Sequence, residues 1–537
     1  VSSRPRAGPE AADSTDGPRA VVIGSGIGGA AATLLLSHAK IPTVLVEKNR
    51  RLGGSCSGYE KQGFRIDIGT HMFSRGPRGP LGDVLRRVGR DGLIDFRRAH
   101  DIAEMRFVAH GRDGHDVVKH VAVPSELSRM PAFAYHLARA LELTPREGAR
   151  AARLFTQILT MSDEEVRSWD GRTIEQFCAP FTDNVATLGL FGFLLGLYFI
   201  LPYWEVSAGE ALLCFRRMAR DNWLSYPKGG SRVIPETYCR LAEEGGAAVR
   251  TGVGVRRILV EAGCVRGVEL SDGTRLDANI VVSTSSIRTT VMHLVGPEHF
   301  PASYVERARR IRGSYIAVQA KIGLTKKLVS AGAIVGGVGD QEDLLHASTS
   351  DLKAMFGSLE DGRIPALVPF YCPVPTNFDE TLAPPGHQLL TVCAVAPTSD
   401  VTLKDPGPAW EEAMLRAMRR VVPGLDAHTL FVDRFSVDFI ERWIGKEFGP
   451  AVSTGQTPDQ VGDRRPSVFT PVRGLYLAGC GAGARGVGTE LAAASAIECT
   501  DGILADLGRG RERLRDADAG SWLGRAMKRP LAWATRA

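Results

Sequence analysis

The chain predicts an α/β fold built on a parallel sheet, and three consecutive features near its start carry that prediction. Val21-Val22-Ile23 is a short unbroken apolar run, the pattern of a strand buried on both faces. It leads directly into Gly24-Ser25-Gly26-Ile27-Gly28-Gly29, after which Ala30 to Lys40 reads as a helix. A second apolar run, Ile41 to Val46, then closes on an acid, Glu47. Strand, glycine turn, helix and strand in this order form the repeating unit of a parallel sheet.

The spacing within that unit also predicts a ligand. In Gly24-x-Gly26-x-x-Gly29, with Gly28 in the same turn, the glycines let backbone approach a pyrophosphate. The following helix directs its N-terminal N–H groups and its dipole at that anion. Glu47 lies about 20 residues beyond the glycines, where a carboxylate can accept both ribose hydroxyls. A lone glycine pattern is weak evidence, but here its strand, its helix and its acid accompany it. The chain is therefore read as a Rossmann-type binder of an adenine dinucleotide, contacted by Gly24, Gly26, Gly28, Gly29 and Glu47.

The acid is followed by Lys48-Asn-Arg-Arg-Leu-Gly53-Gly54-Ser55-Cys56, then by Gly63-Phe64-Arg-Ile-Asp67-Ile-Gly69-Thr70-His71. A plain nicotinamide domain would continue here into another crossover helix. A second glycine pair, with hairpin alternation at Tyr59, Phe64, Ile66 and Ile68, instead suggests chain running along an extended cofactor towards a flavin ring. These residues resemble the flavoprotein superfamily of amine oxidases, phytoene desaturases, carotenoid isomerases and retinol saturases. The resemblance continues through Tyr226-Pro-Lys-Gly229-Gly230 and through Val253-Gly-Val255 with Gly267 to Gly273 and Ile280 to Thr284. It continues again in the desaturase-like Asp379 to His387 segment and in Gly474-Leu-Tyr-Leu-Ala-Gly479 with the helix after it.

The resemblance implies FAD as cofactor and a parallel-sheet FAD domain interrupted by a mixed α+β substrate domain. The expected FAD domain is discontinuous, over 18–79, 226–295 and 456–508. The expected substrate domain covers 80–225 and 296–455. Helical periodicity falls in Glu126 to Leu141, Gly148 to Met161 and Trp410 to Val421. By resemblance, Lys48, Gly53, Gly54, Ser55, Cys56, Asp67, Gly69, Thr70, Val255, Gly479, Cys480, Gly486, Val487, Gly488 and Thr489 join the cofactor contacts. Two positions depart from the family. Ser55 stands where Arg is frequent after the glycine pair, and Cys480 where many relatives carry an acid. Gly481-Ala-Gly483-Ala-Arg-Gly486 repeats the glycine spacing after a strand, but no strand ending in an acid follows it, so a second nucleotide site is not predicted.

Two side chains are candidates for chemistry at the ring. His71 follows Asp67-x-Gly69, where the family brings its chain under the flavin; an imidazole there either moves a substrate proton or only anchors the ring. Glu490 opens the helix from Leu491 to Glu498, whose positive end would stabilise charge on reduced flavin. Glu490 either caps that helix or hydrogen-bonds the ring. Covalent flavin attachment through Cys56 or Cys480 is the less favoured reading, and no metal-ligand spacing is present.

Composition restricts the alternatives. With 44% apolar and 23% charged residues, the 537-residue chain is globular. A net charge of +6 without clustered basic and aromatic residues argues against nucleic acid as partner. It fits an anionic membrane surface or an acidic carrier protein. Nine dispersed cysteines without Cys-x-x-Cys pairs read as reduced cytoplasmic thiols. Residues 1–17 read as a disordered leader and 509–537 as a basic tail, in which Gly520 to Trp533 pairs basic and aromatic residues.

Val185 to Leu201 carries no charge and is expected to be a helix. A buried core helix, the wall of an apolar tunnel and a membrane-dipping helix remain open for it, and a full span is disfavoured because both flanks belong to one domain. The favoured function is FAD-dependent desaturation of a long apolar or polyene substrate. Cis–trans isomerisation or saturation of a polyene, dehydrogenation of a carrier-tethered acyl chain, and a flavin-binding scaffold are the alternatives.

Overall fold

The computed structural model describes residues 17–509 except 111–115, 183, 185–186, 189–197, 340–348, 362, 365–366, 397–406, 436 and 447–449. Five parallel strands form one sheet in the order Leu475–Leu477, Ile280–Ser283, Ala20–Ile23, Thr43–Glu47, Ala248–Thr251. Strand alternation divides their side chains between two layers. Ala20, Val22, Ile280 and Val282 pack with residues of the helices Ile27–His38, Val233–Glu244 and Gly488–Asp506. Val21, Ile23, Val281, Leu475 and Leu477 face Ile258, Val265 and Val268 of a three-stranded antiparallel sheet. With both faces covered, Ala20–Ile23 and Ile280–Val282 are apolar at every position, which is why the sequence shows runs there and not alternation.

A second sheet of seven strands runs Thr429–Phe435, Ile316–Leu324, Gln388–Ala396, Leu367–Pro373, Ala333–Gly339, Asp101–His110, Asp116–Pro124. Its pairs are antiparallel except that of Ala333–Gly339 with Asp101–His110. Along Ile316–Leu324, Ala320 and Ile322 pack with Ala413, Met414, Ala417 and Met418 of the helix Gly407–Val421. The intervening residues Ala317, Gln319 and Lys321 point to the other face, towards the cavity described below.

A helical cluster joins the two sheets. Its helices Pro145–Thr160, Asp163–Arg167 and Ile174–Cys178 each start with a full capping box, from Thr144, Ser162 and Thr173 respectively. With the helix Ala208–Asp221 they bury Leu154, Ile158, Val166, Phe177 and Leu212. Most of the apolar stretch 185–201 lies outside the described residues, as do 1–16 and 510–537. Of its described part, Leu188, Phe199 and Leu201 are buried in the helical core, while Tyr198 and Ile200 line the cavity. Among the described residues, no helix is long and apolar enough to cross a membrane.

Candidate active site

A cavity of about 500 Å³ lies between the parallel sheet and the seven-stranded sheet. Of the cofactor contacts expected from sequence, Gly24, Gly26, Gly28, Glu47, Lys48, Gly53, Gly54, Ser55, Cys56, Gly69, Thr70, Val255, Gly479, Cys480, Val487, Gly488 and Thr489 line it. So do His71 and Glu490. Gly29, Asp67 and Gly486 do not, and each has another use.

The first glycine turn has the form of a cradle. A Cβ on Gly26 would meet nothing within 4 Å, so backbone there is open to a ligand. A Cβ on Gly28 would lie 2.8 Å from Gly479 Cα, and one on Gly29 only 1.9 Å from Gly24 O. Gly28 therefore lets the N-terminal and C-terminal motifs touch, and Gly29 closes the turn on itself. Glu47 is fixed beside this turn. Its Oε2 accepts from Ser25 N–H at 2.8 Å and from the Ser25 hydroxyl at 2.7 Å, and its Oε1 accepts from Asn49 N–H at 2.8 Å. Ser25 Oγ in turn accepts from Gly53 N–H at 3.0 Å, tying the second glycine pair to the first turn. A carboxylate has about four lone-pair positions, so one on Oε1 remains for a ribose hydroxyl.

Asp67, expected as a cofactor contact, does not line the cavity. Its buried carboxylate accepts from the Tyr226 hydroxyl and from Ser231 N–H, which fastens the Phe64–Asp67 strand to the turn at 226–231. Gly486 likewise faces away, its N–H donated to Glu210 Oε1 at 2.5 Å. Arg485 joins Glu210 and Asp170 in the same network, anchoring the C-terminal motif to the helical cluster. The repeated glycine pattern is no second cradle: Ala484 N–H donates to Glu498 Oε2 at 2.6 Å, and a Cβ on Gly483 would meet Val468 at 2.4 Å. Lys48 lines the cavity but turns its ammonium onto the Arg442 carbonyl at 2.5 Å. The Cys56 thiol, buried and donating to Thr70 Oγ1, is pushed up to about 12 by burial, which favours its protonated form.

His71 belongs to a buried polar group that the sequence did not announce. Its Nε2 lies 3.1 Å from Lys321 Nζ and 3.4 Å from Gln319 Oε1, and Lys321 Nζ donates to Gln319 Oε1 at 3.0 Å. Nδ1 is buried and has no hydrogen-bond partner among the described residues. Burial, and then the Lys321 charge, hold the His71 pKa well below its ordinary 6.5, so the imidazole is neutral. Burial also lowers Lys321 from 10.5 to about 8. The one available signal was alternation: Gln319 and Lys321 are polar positions two apart on an otherwise apolar strand.

On the opposite side, Glu490 Oε1 accepts from Ser74 Oγ–H and from Arg75 N–H, both at 2.8 Å. Ser74 Oγ lies 2.7 Å from Tyr198 Oη, and Arg75 Nε lies 2.5 Å from Asp221 Oδ2. Burial raises the Glu490 pKa. Among the described residues, no group of His, Cys, Asp and Glu is placed to hold a metal ion.

A family model described as flavin containing amine oxidoreductase matches residues 27–504. The zeta-carotene-forming phytoene desaturase of Myxococcus xanthus is 26% identical over 508 residues, 87% of this chain and 90% of its own length. The chloroplastic prolycopene isomerase of Daucus carota is 22% identical over 523 residues, 91% and 80% of the two chains. An oxidoreductase of known structure from Methanosarcina mazei shares the fold with a TM-score of 0.68 at 19% identity, over 89% of this chain and 99% of that one. The open backbone at Gly26, the remaining acceptor on Glu47 and the cavity reaching His71 suit the extended cofactor that such a family requires. The chain belongs to the flavin containing amine oxidoreductase family and is an FAD-dependent oxidoreductase.

Proposed function

We propose that this flavoenzyme removes a hydride and a proton from adjacent carbons of a long apolar polyene, leaving a new conjugated double bond. The observation that carries the reading is the wall opposite the glycine turns. It presents Ala317, Tyr371 and Cys393, joined by Ile200 and Val452, with Gln319 as its polar member, bonded to Lys321, which is buried behind it. Such a wall suits hydrocarbon, and an ammonium behind it disfavours a protonated amine as substrate. The desaturase and isomerase names among the relatives support the same substrate class.

Bound FAD supplies the two-electron acceptor. The residues lining the cavity are proposed to act as follows. Glu47 takes a ribose hydroxyl, and the turn from Gly24 with the Ile27–His38 helix takes the pyrophosphate. The helix Gly488–Asp506, whose first residues line the cavity, would favour negative charge on a flavin held at its N-terminus. Neutral His71 hydrogen-bonds and orients; it does not serve as the base. The apolar wall excludes water from the reacting carbons. The corresponding division of the chain is an FAD unit over 18–79, 226–295 and 456–508, to whose cores Leu81, Val84, Leu85, Phe300 and Val305 also contribute, and a substrate unit over the rest of 80–225 and 296–455.

Delivery of so apolar a substrate is proposed to involve peripheral contact of a cytoplasmic protein with the inner face of a membrane. Met130, Tyr135, Phe155 and Leu159 are exposed on the helices Met130–Ala140 and Pro145–Thr160, which also carry Arg139, Arg146 and Arg153. Apolar and cationic groups together suit an anionic lipid surface.

The test is to incubate FAD-loaded protein with a linear polyene in anionic vesicles and a quinone, and to follow absorbance. Desaturation moves the absorption to longer wavelength as conjugation grows. Isomerisation without added double bonds, requiring prior reduction of the flavin, would replace this reading by the isomerase one. Turnover confined to a carrier-bound acyl chain would refute the polyene.

A further inference from the structure

The mechanism above leaves unused a line of three polar side chains on the helical side of the cavity. Tyr198, Ser74 and Glu490 all line it, and they touch in sequence, Tyr198 Oη to Ser74 Oγ at 2.7 Å and Ser74 Oγ to Glu490 Oε1 at 2.8 Å. We propose that these three residues form a relay that carries a proton from the cavity to a buried carboxylate. This inference rests on the reading of the cavity as the place where a double bond is made.

Hydrogen-bond capacity sets the direction of the line. An ionised carboxylate only accepts, so the single Ser74 hydrogen is committed to Glu490. Tyr198 must then donate to Ser74, which leaves its oxygen lone pairs for the cavity. Arg75 N–H is the second donor to Glu490 Oε1 and keeps the carboxylate from turning away. If Glu490 takes a proton, the line can reverse: Glu490 donates to Ser74, Ser74 to Tyr198, and the Tyr198 hydrogen is freed. The three side chains thus have two mutually exclusive arrangements, set by one proton.

The transfer balances. One substrate C–H bond breaks, its proton bonds to Tyr198 Oη, the tyrosine proton passes to Ser74 Oγ and the serine proton to Glu490. The C–H electron pair becomes the second bond of the new C=C as a hydride leaves the neighbouring carbon for oxidised FAD, which is thereby reduced. Tyr198 never becomes phenolate, which suits a hydroxyl whose pKa burial drives well above 10. Burial also raises Glu490, with Arg75 and Ser74 opposing it, so the carboxylate is a stronger base than an exposed one. The ionisable neighbours that act on the pair are Arg75 and Asp221 on the Glu490 side and Cys214 on the Tyr198 side. Arg75 is itself held by Asp221, which also pairs with Arg220, so the local field is that of a three-membered ionic group.

The test uses FAD-loaded protein. Tyr198→Phe keeps the ring and should retain FAD, while slowing anaerobic bleaching of the flavin by a polyene about 10²–10⁴-fold. Ser74→Ala should do the same, and the double variant should be no slower than the slower single one, because a relay cut twice is still one relay. Wild-type rates in either single variant, or losses that multiply, would overturn the proposal. A second readout needs no turnover. The infrared carbonyl band of a protonated carboxyl should appear in the holoenzyme as pH falls, from above the ordinary carboxylate range. It should vanish in Glu490→Gln and shift in Ser74→Ala. No such band, or one indifferent to Ser74, would also overturn the relay. Should no polyene bleach the wild-type flavin, the desaturase reading fails, and the infrared band still decides whether the line holds its proton.

Discussion

Lys321 offers a test in which the structure makes an unintuitive demand, namely that removing a buried lysine hydrogen-bonded to His71 and Gln319 stabilises the protein. Its ammonium titrates at about 8 against the ordinary 10.5, chiefly through burial. At 1.36 kcal/mol per pH unit, the charged form costs about 3 kcal/mol of folding stability at neutral pH. The sign follows from proton counting. Between pH 8 and 10.5 the unfolded chain binds more protons than the folded one, so stability rises with pH across that window and the penalty is complete below it. Lys321→Met keeps the length and removes the charge. The two acceptors left behind are not orphaned, since His71 Nε2 lies 3.4 Å from Gln319 Oε1 and can donate to it after a change of tautomer. Thermal unfolding of the holoenzyme from pH 7 to 10 is the assay. The variant should melt higher than wild type at pH 7, with the gap closing as pH approaches 10. A variant that melts lower at pH 7 and keeps the wild-type pH slope would refute the reasoning, and with it the assignment of His71 as a neutral neighbour of an ammonium.

Other consequences are simpler to state. Glu47→Gln removes a charge and one acceptor from the carboxylate that fixes Ser25 and Asn49, and should weaken FAD by about 1.5–3 kcal/mol, measured by equilibrium titration of apoprotein. Gly28→Ala sets a methyl 2.8 Å from Gly479 Cα, where backbone must give, and should cost about 1–3 kcal/mol of stability together with tight FAD retention; unchanged melting and unchanged colour would contradict the packing. His71→Gln preserves a neutral hydrogen-bonding group and should keep most of the rate of flavin reduction, whereas His71→Ala should not. Equal, severe losses in both would return His71 to the role of base.

The first unit of the fold was legible because its physics is local. Ala20–Ile23 and Thr43–Glu47 are covered on both faces, so burial alone writes them as apolar runs. The helix expected over Ala30–Lys40 spans Ile27–His38, because Gly28 and Gly29 are packed helical residues and not merely loop. The C-terminal helix expected over Leu491–Glu498 spans Gly488–Asp506, and Gly502 continues it beneath the Phe469 ring. What local patterns lack is direction and partner. The Asp67-x-Gly69-x-His71 spacing marks a segment that borders the cavity, yet Asp67 turns to Tyr226 and Ser231 while His71 faces the cavity. The partners of the two candidate residues come from far away in sequence: Lys321 stands 250 residues from His71, and Glu490 stands 416 from Ser74. No periodicity reports such pairs, since they exist only where the seven-stranded sheet and the C-terminal helix close on one cavity.

The central claim is that a hydride and a proton, together two electrons and two protons, leave the hydrocarbon at this flavin. A single anaerobic turnover tests it most directly: oxidised holoenzyme is mixed with excess linear polyene without any acceptor, flavin bleaching is followed, and the quenched polyene is analysed. The account predicts full bleaching with one new double bond formed for each flavin reduced. Bleaching without a new double bond, or new double bonds without bleaching, would contradict it.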